Sequence, residues 1–478
     1  MALSVARLGK NLLSKGHSLK RCASTSAGNA TYLQSLINTP ETKVTTLPNG
    51  LRVASENSGG STCTVGLWID AGSRYEDAET NGTAHFLEHM IFKGTQRRSQ
   101  TQLELEVENM GAHLNAYTSR EQTVYFSKCF SKDIGQSVDI LADIIQNPTL
   151  GQREMDRERG VILREMEEVD QQVEEVIFDH LHTIAYQGTP MSRTILGPTK
   201  NIQSISRQNL VDYISTHYTA PRIVVAAAGG VDHDQLVGLA EKHFNSLPTT
   251  TDLPQLTPCR YTGSEMRVRD DDMPFAHITF AVESCGWANP DYLPLMLAST
   301  IVGNYNRTAG TGSHFASKLA QNVVDLEDYK DMSTGCQSFM SFNTCYTDTG
   351  LWGIYMVVHK MFIDDLRINV MNEWMRLCFS VTDDEVERAK NVFRTSMFMN
   401  LDGSTAVCED IGRQMLTYGR RIPLYELDYR LQQIDSQTVR DVMTRYLYDK
   451  CPVIVGIGPI EQLFEYNRIR GGMYWARS

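Results

Sequence analysis

Residues 85–89 read His-Phe-Leu-Glu-His. On a helix, His85 and His89 stand four apart and project from one face. That is the separation two ligands of one zinc ion require. Glu88 falls on the adjoining edge, within reach of a water in an open fourth position. The order, with the glutamate before the second histidine, is that of the inverted zinc-peptidase motif. A plainer reading is two helix-surface histidines beside an ordinary acid. The neighbours weigh against it. Ala84, Phe86, Leu87, Met90, Ile91 and Phe92 make this stretch mostly apolar, so the helix should be buried. Buried imidazoles and a buried carboxylate need partners, and a metal ion supplies one.

A third ligand is required, leaving one position for water. A long, heavily charged helix is expected over Glu154–Leu181, and it is the natural source. Glu158 and Glu165 are seven apart, two turns along one face, and Ile162 points the same way. Glu167, Glu168 and Glu174 read as a solvated face. The ten cysteines are scattered without a C-x-x-C pair, so they read as free thiols in a reducing compartment, not as zinc ligands. His180 and His182 are two apart and cannot share a helix face. His217, His233, His243, His277, His314 and His359 lack ligand partners at useful spacing.

Several elements must position this motif. Lys43–Val53 reads as strand, Asn49-Gly50 turn, strand. Thr62–Asp70 reads as a buried strand and Gly82–Lys93 as the motif helix. His113–Phe126 alternates like an edge strand, with a plain core strand as the other reading. Strands and helices mix without strict alternation, which predicts an α+β fold. The 478 residues suit about two to three domains. A Pro- and Thr-rich stretch after Ser246 reads as a linker, so we expect domains at 43–246 and 263–478 joined by 247–262. The ends of the two halves are alike: ISRQNLVDYISTHYTAPRIVVAAAGGVDHDQL (205–236) parallels IDSQTVRDVMTRYLYDKCPVIVGIGPIEQL (434–463). Both pass from a helix through a Pro into a β-branched strand and a Gly turn, which favours a duplicated domain over convergent local structure.

Charge bounds the partners. The formal net charge is −12, yet no Asp or Glu precedes Glu41. Arg7, Lys10, Lys15, Lys20 and Arg21 lie in that acid-free, Ser-rich start, with Val5, Leu8, Leu12 and Leu19 on one helical face. This is the pattern of a mitochondrial transit peptide, expected over 1–22, or else of a basic tail. Without it the body is more acidic still, which suits a basic partner or substrate and argues against nucleic acid. No apolar run approaches the roughly 20 residues of a membrane span.

The chain resembles the pitrilysin/insulysin class of inverted-motif zinc peptidases. HFLEHMIFKGT (85–95), NMGAHLNAYTSREQTVYF (109–126), ERGVILREM (158–166) and RTILGPTKNI (193–202) carry the resemblance in the first half. CEDIGRQMLTYGRRIP (408–423) and YNRIRGGMYW (466–475) carry it in the second. It implies two homologous domains, each a mostly antiparallel sheet flanked by helices, and one zinc ion per chain. It further implies His85, His89 and Glu165 as ligands, Glu88 as the catalytic proton shuttle and Glu158 as an acid supporting the site. Asn115, Ala116 and Tyr117 match a strand that pairs with substrate. Phe92 matches a pocket for the side chain just after the cut. Glu175 and Asp179 match positions that bind an arginine two residues before it. Trp287–Gly303 takes the motif helix's place in the second half but has no His or Glu, which marks a non-catalytic copy. Single-chain relatives are about twice as long. The resemblance therefore implies a heterodimer with a homologous α subunit, cleaving basic presequences from imported precursors in the mitochondrial matrix. The same family supplies a core subunit of respiratory complex III, at the matrix face of the inner membrane. These residues are compatible with that structural role, alone or combined with peptidase activity.

Overall fold

A computed structural model describes residues 32, 34–249, 256–309, 316–330 and 335–474. The basic start at 1–22, His314 and the middle of the expected linker lie outside the described residues. Two six-stranded sheets form the framework. The first contains β1 (Lys43–Thr46), β2 (Arg52–Asn57), β3 (Thr62–Ile69), β4 (His113–Thr118), β5 (Thr123–Phe130) and β6 (Ile223–Gly229), ordered β1-β2-β6-β3-β5-β4. The second contains β7 (Glu265–Arg269), β8 (Ala276–Ser284), β9 (Asn304–Asn306), β10 (Cys336–Cys345), β11 (Gly350–Val358) and β12 (Val453–Gly458), ordered β7-β12-β8-β11-β10-β9.

The two sheets share a five-strand core, β2-β6-β3-β5-β4 matching β7-β12-β8-β11-β10, with β1 and β9 added at opposite edges. β2 runs parallel to β6, and β7 runs parallel to β12. Every other pair is antiparallel. The repeated segments supply the equivalent strands β6 and β12, each following a helix. With helices on both faces, this is the α+β architecture expected from the sequence. The helices that matter for the site are α1 (Thr83–Ile91), α2 (Gln152–Asp170), α3 (Val173–Ala185), α4 (Arg207–His217), α5 (Tyr292–Val302), α6 (Ser404–Tyr418) and α7 (Ser436–Tyr446).

Two expected elements are corrected. His113–Phe126 is not one edge strand: the chain turns back at 119–122, and only β4 lies at the edge while β5 is internal. Glu154–Leu181 is not a single helix: α2 stops at Asp170 and α3 begins at Val173. Gln172, with φ −92° and ψ 89°, leaves the helical region and redirects the chain. The apolar spacing runs through Val169, Val173, Ile177 and Leu181 without interruption, and no Gly or Pro marks the break. Sequence periodicity therefore could not reveal it. The reason is tertiary. α2 packs beside α1 in the first half, whereas Ile177, Leu181, Ile184 and Ala185 of α3 join a core with Ala281, Leu351, Val453 and Val455 of the second sheet.

The halves exchange cover reciprocally. α6 returns from the second half to lie on the first sheet, where Cys408, Ile411 and Met415 pack against Trp68, Val124, Val224 and Ala226. Thr64 Oγ1 meets Ser404 Oγ and Thr405 Oγ1, each at 3.0 Å, and Cys408 Sγ donates to the Ala226 carbonyl at 3.3 Å. Gly412 is required for this approach, because a Cβ there would overlap the Trp68 indole. The opposite face of each sheet is filled from its own half. All nine described cysteines are free thiols. No helix among the described residues is long and apolar enough to cross a membrane.

Candidate active site

The start of α1 is held from outside the helix. Its N-cap, Gly82, has φ +102° and offers no capping side chain. The buried carboxylate of Glu76 does the capping instead. Its Oε2 accepts from the backbone N–H of Gly82 and from Asn81 Nδ2, both at 2.9 Å, and its Oε1 accepts from the Ala84 N–H at 2.6 Å. An acid here also meets the positive end of the helix dipole. Burial pushes the Glu76 carboxyl up to about 7, against the pull of those donors. Arg193 donates to the Glu76 carbonyl, and Asn201 Nδ2 donates to the Ala78 and Asn81 carbonyls. Gly197, at φ +75°, lets that loop touch the Asn81 backbone, where a Cβ would overlap. The stretch around 193–202 thus anchors the entry to the motif helix.

Within α1, Thr83–Phe86, Leu87, Met90 and Ile91 are buried, while Glu88 and His89 are half-buried. α2 presents a complementary stripe at Met155, Glu158, Ile162 and Glu165, spaced three, four and three apart. Met155 and Ile162 are buried and bring both acids against α1. His85 Nε2 lies 3.6 Å from Glu165 Oε1, and His89 Nε2 lies 3.2 Å from Glu165 Oε2. One ligand atom from each of His85, His89 and Glu165 lies within 4.8 Å of the others, the one such group among the described residues. Glu158 sits behind His89, with its Oε2 3.3 Å from Nδ1, and Lys93 Nζ holds its Oε1 at 2.9 Å.

This donor set fits zinc. Bonds of about 2.0–2.2 Å in a tetrahedron place neighbouring ligand atoms about 3.3–3.6 Å apart. The His–Glu165 separations bracket that figure, and 3.6 Å is too long for a good hydrogen bond. Two imidazoles and one carboxylate leave a fourth position. Electrostatics draw the same atoms together. The neighbouring imidazoles, His85 first and then His89, hold Glu165 well below the usual carboxylate range. Burial disfavours a charged His89, but Glu165 and Glu158 outweigh it and raise its pKa.

Glu88 points toward β4. Its Oε2 accepts from Thr118 Oγ1 at 2.5 Å. β4 is the edge strand of its sheet, pairing with β5 alone among the described strands. Asn115 is exposed, and its Oδ1 accepts from the Ala116 N–H at 2.8 Å. Tyr117 turns its hydroxyl to Glu409 on α6, so any role toward a peptide falls to its main chain. Phe92 is half-buried, edge-on to Tyr125 with ring centres 6.1 Å apart. Glu175 is exposed on α3, whereas Asp179 accepts from Arg120 at 2.7 Å. The Asp179 carboxylate is thus already engaged by a cation of the chain itself.

Reasoning from sequence missed three residues. Glu76 lies outside any helix pattern and could not be linked to the motif without the fold. Lys93 and Thr118 each neighbour a recognised motif residue, Phe92 and Tyr117, but nothing in their spacing points to Glu158 or Glu88. In the second half α5 takes the place of α1 after the equivalent strand, β8. Its sequence, YLPLMLASTIV, has no metal ligand, and Trp352 Nε1 donates to its Leu295 carbonyl as part of a packed core.

Known proteins share this arrangement of sequence. Residues 52–199 match the model of the insulinase family, peptidase family M16, and residues 204–393 match that of the peptidase M16 inactive domain. The mitochondrial-processing peptidase subunit beta of Bos taurus is 60% identical, over 92% of this chain and 89% of that protein. Its Homo sapiens counterpart is also 60% identical, over 93% of this chain and 90% of its own. Subunit 1 of the mitochondrial cytochrome b-c1 complex of Mus musculus is 52% identical, over 94% of this chain and 93% of that protein. Among solved structures, a chain of complex III2 from Candida albicans, bound to Inz-5, superposes with a TM-score of 0.80 at 27% identity, covering 90% of this chain and 99% of that one. Both halves, their sheets and the motif residues thus place the chain in the M16 peptidase family.

Proposed function

We propose that this chain is the metal-bearing subunit of a mitochondrial processing endopeptidase, removing basic N-terminal presequences in the matrix as a heterodimer with a homologous α subunit. The observation that carries the reading is the convergence of His85, His89 and Glu165 beside Glu88. A scaffold has no need of such a set. The identity to processing-peptidase β subunits supports the substrate class.

His85, His89 and Glu165 would hold one zinc ion, which when bound supplies a Lewis acid and an acidified water. Glu158 accepts from His89 Nδ1 and thereby fixes that ring's orientation and tautomer. Glu88 takes the proton from the attacking water and passes it to the leaving amine. The exposed edge of β4 at Asn115, Ala116 and Tyr117 would receive the peptide as an added strand. Phe92 would meet the side chain after the cut. Glu175 would receive an arginine before it, with Asp179 available only if Arg120 releases it.

A second reading, a core subunit of complex III, is favoured by the 52% identity to a cytochrome b-c1 subunit and by the superposition on a complex III chain. The test is to mix the purified chain with its α partner and a basic presequence peptide. Site-specific cleavage that chelator abolishes and zinc restores is expected. A stable heterodimer that never cleaves would favour the scaffold.

A further inference from the structure

The Glu88 carboxylate has a single side-chain hydrogen-bond partner among the described residues, Thr118, whose Oγ1 donates to Oε2 at 2.5 Å. Thr118 is the last residue of β4 and pairs with Thr123 across the hairpin. A hydroxyl at the end of an edge strand would ordinarily be loosely placed. This one is not, because the turn beyond it is clamped from several sides.

Ser119 N–H donates to the Gln122 carbonyl at 2.8 Å, closing the turn. The Ser73 and Arg74 N–H groups donate to the Ser119 and Arg120 carbonyls at 3.3 and 2.8 Å. Gly72 permits that approach, since a Cβ there would overlap both carbonyls. Thr123 Oγ1 donates to the Ala71 carbonyl at 2.7 Å. The side chains of the turn are held as well. Arg120 is bound to Asp179, and Glu121 is bound to Arg74 and to the Thr347 N–H of the second half. The hairpin tip is therefore fixed to the segment before α1, to α3 and to the opposite sheet.

We propose that Thr118 is a positioning residue for the hydrolysis. Its hydroxyl occupies Oε2 of Glu88, selects one carboxylate rotamer, and leaves Oε1 as the atom that takes the proton. This inference rests on Glu88 acting as proton acceptor. A carboxylate free to rotate spends part of its time turned from the reacting water, and a displacement of about 1 Å can cost about 100-fold in rate. A merely structural threonine would act differently. Its loss would loosen β4, weaken peptide pairing and raise KM.

The test uses the purified complex with a presequence peptide and four forms of this chain: wild type, Thr118→Val, Thr118→Ser and Glu88→Gln. Thr118→Val preserves shape and strand propensity but removes the donor. We expect kcat to fall about 10- to 100-fold, with KM within about twofold and zinc content unchanged. Thr118→Ser restores most of kcat. Wild-type kcat in Thr118→Val with an inactive Glu88→Gln overturns the role of Thr118 alone. Equal losses in the Val and Ser variants, or a loss confined to KM, also overturn it. An active Glu88→Gln overturns the underlying reading of Glu88.

Discussion

At the scale of single residues, chemistry depends on side chains that never touch substrate. Both oxygens of Glu76 accept N–H groups at the start of α1. A glutamine keeps the size but turns an NH2 toward one set of donors. Glu76→Gln should destabilise the protein by about 1–3 kcal/mol and weaken metal retention, read as a lower Tm and lower zinc occupancy after dialysis. His217 gives a pH signature. It is buried beside the rings of Tyr75 and Tyr213. Burial, and then the charge of Arg222, lower its pKa to about 4. The folded value lies below the ordinary 6.5, so the unfolded chain takes up this proton first. Its contribution to stability is present above pH 6.5 and is lost as pH falls toward 4. Denaturation midpoints of His217→Gln should fall less steeply over that window than those of wild type. His85 and His89 were legible in sequence because i,i+4 spacing is local geometry. Spacing alone did not separate Glu158 from Glu165, which share one face of α2; the family resemblance pointed to Glu165, and in the fold it is Glu165 that lies near both imidazoles.

At the scale of elements, the hairpin β4–β5 is tied to the other half through its turn. Arg74 has a fully buried guanidinium and bridges Glu121 of this hairpin to Asp348, 2.8 Å away, in the β10–β11 turn. Asp348 is exposed, but Glu121 is partly buried and would lose its charged partner. Arg74→Met should cost about 1–3 kcal/mol, and it should lower peptidase activity with zinc still bound, because the ligands lie on α1 and α2. Paired measurement of unfolding midpoint, zinc content and kcat checks this. Alternation marked strand over His113–Phe126, but it did not show the turn at 119–122 that divides this stretch into β4, the edge, and β5, an internal strand. The break between α2 and α3 was unreadable, since Val169 to Leu181 keep helical phase across it. What divides them is the choice of core, and that choice is made by the second sheet.

At the scale of the whole molecule, the duplication seen near the ends of the halves became two sheets with a common five-strand core, but it did not foretell the exchange of α3 and α6. Each sheet has one face covered by a helix from the other half. Long-range cover of this kind leaves only apolar stripes in the sequence, which fit any core. The halves should therefore unfold together. Residues 43–246 and 263–478 expressed singly should each lack a covering helix and be unstable, whereas coexpression should recover a complex. Gly412→Ala should loosen α6 from Trp68 and cost about 1–3 kcal/mol, seen as a lower midpoint of one cooperative transition. The account as a whole stands on a zinc-dependent half-site at His85, Glu88, His89 and Glu165. Its most direct test measures zinc content and presequence cleavage on the same heterodimer preparations. Glu88→Gln should keep one zinc per chain and lose cleavage, while His85→Ala should lose both. Full cleavage by Glu88→Gln, or undiminished zinc in His85→Ala, would contradict the account.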